Sequence, residues 1–334
     1  MRAGLWAAQW PYRLGVALRN SMFDNGLQKP HKASVPVVSI GNITTGGTGK
    51  TPFAAFVSRW FLERGVRVTF VSRGYRAIDG SPNDEALVLG QLCPGVPHLQ
   101  QPDRVAGARR AVDEHHAQLV VLDDGFQHRR LHRDLDIVLI DALNPWGYGH
   151  LLPRGLLREP ISSLRRAHIV AITRVDQASP EQLDAIRQRV AAVRSDLPVI
   201  EVAFPPLRLI NASGQTTDLA SLRSQSVVAF CGIGHPQAFF SMLEREQIIV
   251  CETRVFADHH AYSLTDVDEL CRWCGGQSVN GTSVAVITTQ KDLVKFHRDE
   301  LGGCPLWAVE IGAKITRGSG VWNEMAAGLI AAGP

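Results

Sequence analysis

Val35-Pro36-Val37-Val38-Ser39-Ile40-Gly41-Asn42-Ile43-Thr44-Thr45-Gly46-Gly47-Thr48-Gly49-Lys50-Thr51 decides the fold. Residues 35–40 are a continuous apolar run of strand length, and a glycine-rich turn follows. From Thr51 to Arg64, Phe53, Phe56, Val57, Trp60 and Phe61 recur at helical spacing, and Gly65 ends the pattern. Strand, glycine loop and helix in that order build an anion cradle. Glycines let successive backbone N–H groups turn inward around phosphate oxygens, and the helix N-terminus adds its positive dipole end. In such a loop Lys50 reaches the β- and γ-phosphates, and the Thr51 hydroxyl meets Mg²⁺. One position departs from the usual loop: the glycine expected six residues before the lysine is Thr44. Thr44, Thr45, Gly46, Gly47, Thr48, Gly49, Lys50 and Thr51 are the candidate nucleotide-binding residues.

Outward from this loop, Val66–Ser72, Leu119–Leu122, Ile137–Ile140 and Ile169–Thr173 read as buried strands, with a helix over residues 103–116. Apolar strands alternating with helices predict an α/β fold, a parallel sheet of the P-loop NTPase kind with helices on both faces. A second set follows: strands at Val227–Cys231, Ile248–Val255 and Val284–Thr288, with helices over Pro236–Glu246 and 290–298. This predicts a smaller α/β C-terminal lobe. Pro205-Pro206 and the polar stretch Asn211–Asp218 mark the join. The expected domains are an N-terminal arm over 1–30, a P-loop core over 31–210 and a C-terminal lobe over 211–334. The last segment is a candidate to return to the core.

Val120-Val121-Leu122-Asp123-Asp124-Gly125 is a strand ending in two acids, the Walker-B arrangement that presents carboxylate to Mg²⁺. Asp84-Glu85 follows the second strand, and Asp258-His259-His260 lies in the second half. Either offers a proton acceptor for transfer to a hydroxyl. Arg154 and Arg158 flank a turn and suit a phosphorylated substrate. His128 and His132 lack a carboxylate at zinc spacing. Cys271-x-x-Cys274 has no second pair at zinc spacing, so packing is expected of it.

The 334 residues carry a formal net charge of +3 and no lysine- or arginine-rich run, which excludes a nucleic-acid footprint. Six scattered cysteines give no disulfide framework, so a cytoplasmic compartment is expected. The first 22 residues combine Trp6, Trp10, Tyr12 and several leucines with Arg2, Arg13 and Arg19 and no acid. That mixture suits a lipid–water interface; the alternative is an arm packed on the protein's own surface.

These residues together resemble the tetraacyldisaccharide 4'-kinase family, the lipid A 4'-kinases of Gram-negative bacteria. The resemblance rests on Gly41-Asn42-Ile43, Gly46–Pro52, Ser72-Arg73-Gly74-Tyr75, Asp123–His128, Leu157-Arg158-Glu159-Pro160, Asp258-His259-His260 and Thr289-Gln290-Lys291-Asp292. They run in order from about residue 36 to 295, and the family's loop also lacks the glycine that Thr44 replaces. The resemblance implies Mg²⁺ and ATP, with transfer of the γ-phosphate to the 4'-hydroxyl of an acylated glucosamine disaccharide 1-phosphate. It implies a peripheral protein at the cytoplasmic face of the inner membrane. By motif position it implies an Asp84–His259 dyad with Asp84 as general base, metal-associated acids at Asp123 and Asp124, and Glu159 near the metal. Two positions depart from the family. Asn83-Asp84-Glu85-Ala86 stands where the family has Gly-Asp-Glu-Pro, and Gln290 where it has Glu.

Two other readings compete. A membrane-cycling P-loop ATPase would carry a lysine where Thr45 stands. A GTP-binding switch would use Ile172-Thr173-Arg174-Val175-Asp176, whose Thr-basic-x-Asp pattern resembles a guanine-reading motif.

Overall fold

The structure is a computed structural model that describes residues 2–74, 83–276 and 284–331, the side chains of Arg2, Ala3 and Ala7 aside. The chain divides into two compact units. Among the described residues the first takes in 2–74, 92–204 and 313–331, and the second takes in 83–91, 205–276 and 284–312.

In chain order the helices are α1 (Arg2–Asp24), α2 (Lys50–Leu62), α3 (Asp84–Leu92), α4 (Arg104–His115), α5 (Pro180–Ala191), α6 (Pro236–Arg245), α7 (Leu264–Gly275), α8 (Gln290–Leu293) and α9 (Ser319–Ala331). The first unit's sheet begins with β1 (Val37–Asn42), β2 (Val68–Ser72), β3 (His98–Gln100), β4 (Leu119–Asp123), β5 (Leu135–Asp141), β6 (Ile169–Thr173) and β7 (Val199–Ala203). The second unit holds β8 (Pro206–Ile210), β9 (Thr216–Thr217), β10 (Val227–Cys231), β11 (Val250–Val255), β12 (Ala285–Thr289), β13 (Glu300–Leu301) and β14 (Cys304–Ile311). A last strand, β15 (Lys314–Arg317), returns to the first unit.

Strand order in the first sheet is β15-β7-β6-β5-β1-β4-β2-β3, parallel except for β15. Every residue of β1, β2, β4, β5 and β6 is buried, as a parallel sheet covered on both faces requires. β1 pairs with β4 on one side and β5 on the other, so the loop beyond β1 leaves a switch point where such sheets bind ligands. The returning α9 seals α2 from outside. Trp322 is buried against Phe56 and Trp60, with ring centroids 5.8 and 5.6 Å apart, and Asn323 accepts from Trp60 Nε1 at 3.0 Å.

The second sheet runs β11-β10-β12-β14-β8-β9, with β13 on β14. The boundary expected after residue 210 falls instead before β8. β8 pairs antiparallel with β14 and stays in the second unit, and residues 83–91 join it too. The arm expected over 1–30 contains one continuous helix, α1, with Pro11 inside it.

Candidate active site

The loop beyond β1 is built by exclusion of side chains. Gly49 is the N-cap of α2 in the left-handed region at φ 86°, and a Cβ there would lie 2.1 Å from the Phe204 ring. Only glycine fits. With no capping side chain, the first amides of α2 are left to an anion, and Lys50 and Thr51 are the helix's first residues. Thr44 is explained by pairing: it bridges antiparallel to Leu157, Thr45 N donates to Leu156 O at 2.7 Å, and Arg158 N donates to Ile43 O at 2.7 Å. The loop enters as extended backbone, where a β-branched residue is at home.

Lys50 Nζ donates to Asn42 Oδ1 at 3.4 Å and sits 3.7 Å from Asp124. Arg158 grips Asp124 with two nitrogens, at 2.7 and 3.0 Å, and also reaches Asn42 Oδ1 at 3.3 Å. Burial raises the Asp124 carboxyl, but Lys50 and Arg158 outweigh it and hold the pKa down to about 2. Asp123 ends β4 in register with Ile40 of β1, so its buried carboxylate stands at the level where the loop begins. Thr51 hydroxyl and Asp123 carboxylate are hard oxygen donors, and two protein oxygens completed by phosphate and water suit Mg²⁺. Asp124 fits less directly, because both its oxygens are taken by guanidinium.

Glu159 sits in a buried ion-pair cluster. It is fully buried, with Arg19 at 2.8 Å, Asn20 at 2.9 Å and Arg166 at 3.1 Å on its oxygens. Through these three donors the carboxylate ties α1 to the rest of the first unit. Among the described residues, no group of three or more His, Cys, Asp or Glu side chains is placed to hold a metal ion.

The second unit brings Asp84 and His259 together. Asp84 opens α3, and His259 Nδ1 lies 3.3 Å from its Oδ2. Lys295 Nζ, which sequence reading missed, is closer at 3.0 Å and also donates to His260 O. Burial pushes the Asp84 carboxyl up, but hydrogen bonds from His259 and Lys295 bring it below the ordinary range. Its neighbour Glu85 pairs with Lys291 at 3.3 Å. The Thr289–Asp292 run anchors this cluster. Buried Asp292 accepts from Gly232 N at 3.0 Å and from the Tyr262 hydroxyl at 2.9 Å, and Gly232 O receives His259 N. Asn83 explains the departure from Gly-Asp-Glu-Pro. Its side chain accepts from Ala86 N at 3.0 Å, an N–H that proline would lack. Tyr75 of the Ser72–Tyr75 run lies outside the described residues.

Other candidates resolve as packing. Burial pushes the Cys274 thiol up to about 12, far from a reactive thiolate, and lowers His128 to about 4. Thr173 and Arg174 of the Thr-basic-x-Asp run bind the phosphate loop's carbonyls, at Thr48 and Gly47.

A family model described as LpxK, Tetraacyldisaccharide-1-P 4'-kinase, matches residues 1–329. The chain belongs to this family. The kinase is 39% identical over 337 residues to tetraacyldisaccharide 4'-kinase of Anaeromyxobacter dehalogenans (strain 2CP-C), covering 96% of this chain and 88% of that one. The protein of the same name from Halothermothrix orenii is 36% identical, with 87% and 82% covered. Among solved structures, LpxK from Aquifex aeolicus in complex with ATP superposes with a TM-score of 0.77 at 27% identity, covering 98% of the kinase and 99% of that chain. No helix among the described residues is long and apolar enough to cross a membrane.

Proposed function

We propose that the kinase transfers the γ-phosphoryl group of ATP to the 4'-hydroxyl of an acylated glucosamine disaccharide 1-phosphate, working as a peripheral protein at the cytoplasmic face of a bacterial inner membrane. The observation that carries this reading is the α2 N-terminus, which opens on Lys50 and Thr51 behind a glycine N-cap. In this reading the backbone from Thr44 to Gly49 surrounds the phosphates, and Lys50 offsets charge on the transferring group. Thr51 and Asp123 would hold Mg²⁺, which would supply positive charge to offset that developing on the transferring phosphoryl group. Asp124, paired with Arg158, orients Lys50 and stays anionic in the physiological range.

Asp84 takes the proton of the attacking hydroxyl, and His259 orients it. Lys295 helps to keep Asp84 ionised, so that its carboxylate can accept the proton. A depressed pKa makes a weaker base, and this suits a loose phosphoryl transfer in which the proton moves late.

Membrane contact is supported by α1. Trp6, Trp10, Leu14 and Leu18 are spaced by four, so they share one face, and each is more than half exposed. The opposite face docks through Tyr12, Val16, Arg19 and Asn20. Beside it, a cavity of about 340 Å³ is lined by Leu5, Trp6, His150 and Arg154, an apolar wall with two basic groups. Acyl chain and phosphate are the matching chemistry.

The test is incubation with γ-labelled ATP and the tetraacyl disaccharide 1-phosphate, followed by mapping of the labelled position. Label at the 4'-oxygen is expected. Nucleotide hydrolysis without lipid labelling would favour the membrane-cycling ATPase, and preference for GTP would favour a switch.

A further inference from the structure

Two residues at the end of β6 reach back beneath the phosphate loop. The buried Thr173 hydroxyl donates to Thr48 O at 3.0 Å, with Ile140 O as a second acceptor at 3.3 Å. Arg174, in the left-handed region at φ 57°, donates through Nη2 to Gly47 O at 2.6 Å. Its other terminal nitrogen is ion-paired with Asp141 at the end of β5. Asp141 is itself fixed, accepting from Leu143 N at 3.1 Å. So two consecutive loop carbonyls are tied to the ends of β5 and β6.

A peptide unit is planar and trans, so its C=O and N–H point in opposite directions. Turning the Gly47 carbonyl toward Arg174 turns the Thr48 N–H away from β6. Turning the Thr48 carbonyl toward Thr173 does the same for the Gly49 N–H. Glycines at 46, 47 and 49 leave this backbone free to take many other arrangements, each of which would scatter its amides. A flexible loop must lose that freedom when it binds phosphate, whereas a braced loop has lost it on folding.

We infer that Thr173 and Arg174 are positioning residues that pre-set the Thr48 and Gly49 amides for the phosphates, with Asp141 holding the guanidinium in place. The inference rests on the reading of this loop as the nucleotide site. It gives Thr173 and Arg174 a task at the phosphate loop.

The experiment measures equilibrium ATP binding and steady-state kinetics on the full chain for wild type, Thr173→Val, Thr173→Ser, Arg174→Ala and Arg174→Lys. Thr173→Val keeps the shape and removes only the hydroxyl. It and Arg174→Ala should each weaken ATP binding by about tenfold. At saturating ATP, kcat should stay within about threefold of wild type, and KM for the lipid should be unchanged. Thr173→Ser should bind ATP like wild type, and Arg174→Lys should recover part of the loss. Unchanged ATP affinity in both Thr173→Val and Arg174→Ala would overturn the brace. So would a loss confined to kcat in Arg174→Ala, which would put Arg174 on the transferring phosphoryl group. Absence of ATP binding by wild type would instead overturn the nucleotide-site reading.

Discussion

Lys295 Nζ lies 3.0 Å from Asp84 Oδ2, closer than the His259 imidazole at 3.3 Å. The proposed base therefore answers to a lysine as well as to its histidine. Hydrogen bonds from both hold the carboxyl below its ordinary range against the upward push of burial. Lys295→Met removes one of those donors together with its charge, so Asp84 should titrate at higher pH. Its base form is then lost earlier on acidification, and the acid limb of the kcat/KM profile should move to higher pH. An acid limb that stays in place would take Lys295 out of the account.

Asp84 and His259 should act as a unit. Asp84→Asn with His259→Ala should be little worse than the poorer single variant, because once one partner is gone the other has nothing left to do. Transfer rates for the three variants decide this, and losses that simply add would show two independent residues.

Glu159 separates structure from metal binding. Glu159→Gln leaves Arg19 and Arg166 facing a neutral amide, and breaking such a buried pair costs on the order of 3 kcal/mol. Thermal unfolding should occur at lower temperature while the Mg²⁺ dependence of the rate is unchanged. An unaltered Tm with a weakened Mg²⁺ response would return Glu159 to the metal.

The exposed face of α1 should govern where the enzyme works. Basic side chains near an anionic surface are each worth about 1 kcal/mol, so attachment should be weak and salt-sensitive. Trp6→Ser with Trp10→Ser should reduce vesicle binding and raise KM for vesicle-borne lipid, with detergent-dispersed substrate used almost normally. Unchanged partitioning in vesicle sedimentation would contradict a role for this face.

How much of this was legible in the sequence follows from range. The phosphate loop, the Asp123-Asp124 strand end and the apolar strands are local patterns, and α2, β4, β6 and β10 stand where their periods put them. The α5 start was equally local: Ser179, Pro180 and Gln182 form a capping box with proline at its first turn, a signal that went unread. β8 and β14 pair across a long sequence separation, and β15 and α9 owe their places to partners in the first unit, so no local period marks where the units divide. The same holds for Lys295 on Asp84 and Arg158 on Asp124, ion pairs that the fold creates. It holds too for Glu159, whose partners Arg19 and Arg166 lie on other elements.

The central claim is that the loop beyond β1 carries the phosphoryl group during transfer, and the rate of Lys50→Ala tests it most directly. With saturating ATP and the tetraacyl disaccharide 1-phosphate, the variant should fold normally and transfer phosphate slower by on the order of 10³ or more. A folded Lys50→Ala enzyme that labels the lipid at a near-normal rate would contradict the account.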